Sequence, residues 1–163
     1  LVATLSRSKY SHASIVLIED GEKHVVEVDD TGTRKMYFEK WLRLCTGNYY
    51  AIYRAKDVEI DLVVPHIFDF IEEDPDYDFT FSSDNKYYCT ESVAEIYKRA
   101  GYDLFEPKTV KEVIPWFWWL FNPINSLVGL LTGKSVSNLP LYFIGNENHG
   151  MMSSDKIYKV ADV

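Results

Sequence analysis

With 163 residues, 47% of them apolar and 15% aromatic, the chain is long enough for one domain with its own core and short for two. That apolar share excludes a disordered chain. Its 17 Lys and Arg against 25 Asp and Glu leave a net charge of −8, which argues against the basic face of a nucleic-acid binder. Two cysteines, Cys45 and Cys89, are too few for a disulfide framework and favour a reducing, cytoplasmic setting, with one bridge between them left open. Residues 1–5 lack the apolar stretch and cleavage pattern of a secretory signal. The abrupt start without methionine leads to the expectation of a truncated N-terminus, with further sequence before Leu1.

In chain order, residues 12–19 read as a strand rich in Ile, Val and Leu. Asp20-Gly21 is a short hairpin signal, and residues 23–28 supply the returning strand. Residues 29–34 are polar turn material, and 35–44 read as a short helix with Met36, Phe38, Trp41 and Leu42 as its apolar members. Residues 48–54 form a further strand. Between 58 and 71 a helix beginning near Pro65 is expected, rather than one running through it. Residues 74–78 form a turn.

From 88 to 100 the pattern is helical. Cys89, Val93, Ile96, Tyr97 and Ala100 lie on one stripe, and Gly101 is the stop. Residues 139–144 and 157–160 read as late strands. The stretch 113–131 is broken by Pro115, Asn122, Pro123, Asn125 and Ser126 and does not offer an uninterrupted span. Strands and helices in this order, with adjacent hairpins, predict an α+β domain over 1–163.

Cys89 falls at the start of a helix, where free N–H groups and the positive dipole end favour a thiolate and can hold an oxyanion. Taken alone it reads better as a small apolar residue on a buried stripe. His12 taken alone reads as an edge histidine. Hairpin geometry connects it to an acid. With a two-residue turn Glu19 faces Glu22, Ser14 faces Glu27 and His12 faces Asp29, so His12 and Glu27 share a face as diagonal neighbours. Glu27 there can fix the imidazole's tautomer. His24 then lies opposite Leu17 on the other face, whereas an odd-length loop brings His24 onto the face of His12.

The strand Ser11-His12-Ala13-Ser14-Ile15-Val16-Leu17, the return Val25-Val26-Glu27-Val28, and Tyr87-Tyr88-Cys89-Thr90-Glu91-Ser92-Val93 with Tyr97 and Gly101 together resemble the YiiX-type permuted papain-like amidases of the NlpC-type cysteine peptidase superfamily. In that family histidine precedes cysteine because the fold is circularly permuted. Thr90 departs from its usual serine, and its opening glycine-aspartate strand is absent. The resemblance covers about residues 1 to 101 and implies a papain-like domain in which the catalytic helix packs against an antiparallel sheet. It implies a Cys89–His12–Glu27 triad cleaving amides, of cell-wall peptide or γ-glutamyl type, without a cofactor. The element Pro75-Asp76-Tyr77-Asp78-Phe79-Thr80-Phe81 resembles the family's aromatic segment before the cysteine. It makes Tyr77 a candidate site-lining residue beside Tyr88.

No close His/Cys pair has zinc-ligand spacing, so no metal is expected, and Glu72-Glu73-Asp74 reads as a solvated acidic end. Cys45 lacks such company and reads as structural. The aromatic run 115–121 is either a buried cap or an exposed patch, with Trp116, Trp118 and Trp119 contacting lipid, a membrane surface or a partner, and Trp118 near substrate. Two alternatives to the amidase stay open: an acyl-lipid hydrolase or acyltransferase on the same triad, and a non-catalytic binding module.

Overall fold

The computed structural model describes residues 8–45, 49–77, 86–113 and 140–162. Its first sheet is antiparallel with order β1-β2-β3: β1 Ile15–Glu19, β2 Glu22–Asp29 and β3 Gly32–Tyr37. Asp20 and Gly21 both take positive φ, 51° and 81°, the backbone of a tight two-residue turn that matches strand twist. The register follows from that turn, with Glu19 opposite Glu22 and Leu17 opposite His24. Hydrogen-bonded pairing begins at Ile15, so His12 lies just before the strand rather than opening it.

β3 corrects the expected turn at 29–34 and the expected helix from 35. Asp29 pairs with Gly32 across a second two-residue turn, Asp30-Thr31. There the Asp29 carboxylate accepts the Thr31 N–H at 2.9 Å and its hydroxyl at 2.6 Å. Gly-Thr-Arg-Lys reads as loop because an edge strand needs no unbroken apolar face. The helix, α1, spans only Phe38–Leu44. β2 is central, and Val25 to Val28 are all buried, Glu27 among them. Val26 and Val28 join the main core, while α1 packs against β2 and β3.

The next elements are β4 Ala51–Ala55 and α2 Ile60–Glu73. Helix α2 runs through Pro65, contrary to the expected start there. Pro65 is exposed, so the Asp61 carbonyl that loses its N–H partner lies on the solvent side and water can serve it. Val63, Ile67 and Phe70 recur on the buried face, and Asp74 ends the helix in the left-handed conformation. Two of the three acidic residues expected to be only solvated have protein partners. Glu73 pairs with Arg99 at 2.8 Å, and the Asp74 carboxylate accepts the Thr33 N–H at 3.2 Å.

β5 Asp76–Tyr77 pairs in parallel with β6 Lys86–Tyr87, which leads directly into α3 Cys89–Arg99. α3 ends as its sequence predicts. Gly101 has φ 87°, its N–H reaches Lys98 and that of Tyr102 reaches Tyr97, the paired bonds of a glycine C-terminus. β7 Lys108–Thr109, the four-residue α4 Val110–Val113, β8 Pro140–Leu141, a 3₁₀ turn at Met151–Ser153 and β9 Ile157–Asp162 complete the described chain. β8 is shorter than the strand expected at 139–144, while β9 pairs with β4.

The core forms where the sheet meets two helices. Ala13, Ile15, Leu17, Val26 and Val28 pack against Val63, Ile67 and Phe70 of α2 and Val93 and Ile96 of α3. This is the mixed architecture expected, with antiparallel sheets and the cysteine-bearing helix packed on one of them. Among the described residues no helix is long and apolar enough to cross a membrane. Residues 114–131, including Trp116, Trp118 and Trp119, lie outside the described residues.

Phe70 is fully buried, beside the Tyr87 ring and under the Arg99 guanidinium. Phe70→Ala is therefore expected to remove about 3–5 kcal/mol of unfolding free energy, measured by urea titration.

Candidate active site

Cys89 is the first residue of α3, 5% exposed, and Tyr88 before it is extended at φ −101°, ψ 170°. No side chain caps this end, so N–H groups of the first turn remain to face a developing negative charge. The Ala13 backbone N–H donates to the Cys89 sulfur, and the Thr90 hydroxyl lies 3.7 Å from it.

His12 approaches the same sulfur from the segment leading into β1, near enough for its hydrogen-bonding and charge to act on the thiol. Its Nε2–H donates to Glu27 Oε2 at 2.8 Å. With Nε2 engaged, Nδ1 is the ring nitrogen left for the thiol proton. About a third of the His12 side chain stays accessible (34%), while Glu27 is only 4% exposed. The diagonal relation set by the hairpin thus becomes a direct contact.

Glu27 has two further donors that the sequence did not disclose. Arg34 on β3 donates to Oε1 at 2.7 Å, and the Trp41 indole N–H on α1 donates to Oε2 at 2.8 Å. Arg34 also pairs with Asp29. Arg34 was legible in principle, because it is the residue directly opposite Glu27 once β3 is recognised. Trp41 left no such signal: an indole on a short helix ordinarily means packing.

The charge state follows from these contacts. Burial alone pushes His12 down, yet its hydrogen bonds to Cys89 and Glu27 and their negative charges outweigh it and raise it to about 10. Burial pushes the Cys89 thiol up, but the hydrogen bond and charge of His12, the Ala13 N–H and the Thr90 hydroxyl bring it below its ordinary value. Burial also opposes ionisation of Glu27, and the hydrogen bonds from His12 and Trp41, with the charges of His12 and Arg34, hold it below the usual carboxylate range. These shifts favour passing the Cys89 proton to His12, toward a thiolate beside an imidazolium that is itself beside a carboxylate.

Other sequence candidates fall elsewhere. Tyr88, expected to touch substrate, is instead 2% exposed, and its hydroxyl accepts the Tyr142 backbone N–H. It is a packed tyrosine tying α3 to the late segment. Tyr77 lies in β5, but its side chain is outside the described residues, as is Trp118. His24 stacks on Tyr37 at 4.8 Å and lies opposite Leu17, away from His12. Cys45 and Cys89 are both free, and burial together with the Glu27 charge pushes Cys45 up, which makes it a poor nucleophile.

A helix-tip cysteine, with its histidine supplied earlier in the chain by a sheet, is the arrangement of a papain-like thiol hydrolase with permuted order. A family model described as "Permuted papain-like amidase enzyme, YaeF/YiiX, C92 family" matches residues 1–127, and the chain belongs to that family. It is accordingly a thiol hydrolase of the cysteine peptidase and amidase kind. Among solved structures, that of the metalloprotein yiiX from Escherichia coli O157:H7 is similar, with a TM-score of 0.74 and 20% identity. The match covers 99% of this chain and 88% of that one, a likeness of fold. No curated protein sequence matches the chain. Among the described residues, no group of three or more His, Cys, Asp or Glu is placed to hold a metal ion.

The pair's opposite shifts set a pH profile for stability. His12, raised from 6.5 to about 10, stabilises fully below 6.5 and loses that contribution as pH rises through about 10. Cys89, lowered from 9.0, contributes fully above 9.0 and loses it as pH falls through its folded value. Between these two limits the slopes oppose one another, because the His12 contribution falls as pH rises while the Cys89 contribution grows. The difference in thermal midpoint between the native chain and Cys89→Ser should therefore be greatest over an intermediate pH range and shrink on both sides of it. A monotonic slope through it would contradict the ion pair.

Proposed function

We propose that the chain hydrolyses amide bonds, of cell-wall peptide or γ-glutamyl type, with Cys89 as nucleophile, His12 as proton carrier and Glu27 as the anion that orients it. The observation that carries this reading is the Glu27 carboxylate bonded to His12 at 2.8 Å, with His12 in turn acting on the sulfur at the tip of α3. The amide preference draws on the family's description as amidases.

In this mechanism the Cys89 proton already resides on His12 before substrate arrives. The thiolate attacks the carbonyl carbon, and the carbonyl π electrons move onto oxygen, where first-turn N–H groups of α3 receive the charge. Collapse of the tetrahedral intermediate breaks the C–N bond as His12 gives its proton to the leaving amine. A water molecule then attacks the thioester carbonyl and loses its proton to His12, and the C–S bond breaks to free the carboxylic acid and return Cys89 as a thiolate beside protonated His12. Glu27, ionised throughout, keeps the ring turned so that one nitrogen faces the sulfur.

The test is a substrate panel of γ-glutamyl peptides, cell-wall peptide fragments and acyl phospholipids, with Cys89→Ala as control. Amide cleavage by the native chain is expected, falling roughly a thousandfold or more in Cys89→Ala. Cleavage of acyl lipids alone would replace the amidase with the lipid hydrolase on the same residues. Amide cleavage that survives in Cys89→Ala would remove Cys89 from the mechanism.

A further inference from the structure

Glu27 is an unusual group to find ionised, since it sits on the central strand with 4% of its side chain exposed. An unsupported buried carboxylate takes up a proton and, once neutral, no longer stabilises an imidazolium. Three donors prevent this, and only one of them is His12. Arg34 occupies Oε1 at 2.7 Å, and Trp41 shares Oε2 with His12, both at 2.8 Å.

Each of these two is itself held in place. Arg34 lies opposite Glu27 across the β2–β3 ladder and is anchored by Asp29, which the Thr31 N–H and hydroxyl fix in turn. Trp41 stacks on Phe38 at 5.9 Å, and its carbonyl accepts the Cys45 N–H at the end of α1. α1 has seven residues, none buried, and no side-chain cap, so little in its own sequence fixes it. An indole spent on packing has no need to direct its N–H at a buried acid.

We propose that Trp41 and Arg34 are positioning residues for the reaction: by occupying the acceptor sites of Glu27 that His12 does not use, they keep the carboxylate ionised and fix the plane in which it meets the imidazole. This rests on the Cys89–His12–Glu27 reading above and names the two residues on which that line depends. The charged and titratable groups around Glu27 are His12 before β1, Arg34 on β3, Asp29 acting on Arg34, Cys45 after α1, and Cys89 beyond His12. Without the indole N–H, Glu27 protonates at higher pH. The imidazolium then loses its partner, and the thiolate gives way to thiol sooner as pH falls.

The experiment reads the sulfur directly and needs no substrate. In a Cys45→Ser background, the rate of Cys89 alkylation by iodoacetamide is followed against pH, beside the thermal midpoint. Glu27→Gln should move the acid limb upward. Trp41→Phe and Arg34→Gln should move it the same way by about half a pH unit, a roughly threefold loss of thiolate at fixed pH on that limb. Arg34→Lys, which keeps the charge but not the planar fork, should return part of the loss. Trp41→Tyr replaces Trp41→Phe if the latter does not fold.

A lower thermal midpoint with an unmoved limb in both variants, while Glu27→Gln shifts it, would overturn the positioning roles and leave the triad standing. A shift in one variant alone assigns the role to that residue and removes it from the other. An unmoved limb in Glu27→Gln would overturn the triad reading and this inference with it.

Discussion

The structure around the site depends on an acid kept charged in a nearly dry place. Glu27 sits between Val26 and Val28, 3% and 1% exposed, on a strand whose residues 25–28 are buried on both faces. Burial costs a carboxylate several kcal/mol in solvation, and only directed N–H donors offset it. The three donors come from three different segments: the lead into β1, the edge strand β3 and helix α1. The full set of contacts to Glu27 therefore cannot assemble until the hairpin, the third strand and the helix have all docked. Local secondary structure and the site are parts of one cooperative arrangement.

The same arrangement explains how a cysteine with 5% exposure carries a lowered thiol pKa. Burial raises a thiol's pKa, and for the partly buried Cys45 the Glu27 charge adds to that rise. Cys89 differs through its imidazolium neighbour, the N–H of Ala13 and its place at a helix start. Cys45 stands at the end of α1, where the dipole has the opposite sign and the nearest strong charge, Glu27, is negative. Two cysteines in one chain thus acquire opposite characters from position alone.

Much of this was legible in the residues. Asp20-Gly21 specified a turn, the turn specified the register, and the register put His12 and Glu27 within reach. Gly101 marked the end of α3, and the stripe of Val93 and Ile96 marked its buried face. Less legible were the features decided by tertiary context. β3 looked like a loop because its residues alternate polar types suited to an edge, and so Arg34 went unnoticed. Pro65 looked like a helix start because its helical neighbours and its solvent-facing side were not visible. Tyr88 looked like a substrate contact from its place beside Cys89. Only the late segment folding back with the Tyr142 N–H shows that its hydroxyl is already used.

The turn at Asp20-Gly21 has an influence out of proportion to its exposed, peripheral place. It acts as a counter, since strand faces alternate with every residue. One amino acid gained or lost, with the two-residue turn kept, would slip the register by one and leave the imidazole and the acid looking toward opposite walls. A lineage that accepted such a slip would keep a sound scaffold and lose the His12–Glu27 contact on which the proposed triad rests. Length at that corner is therefore under a constraint that neither solvent exposure nor distance from the sulfur would suggest.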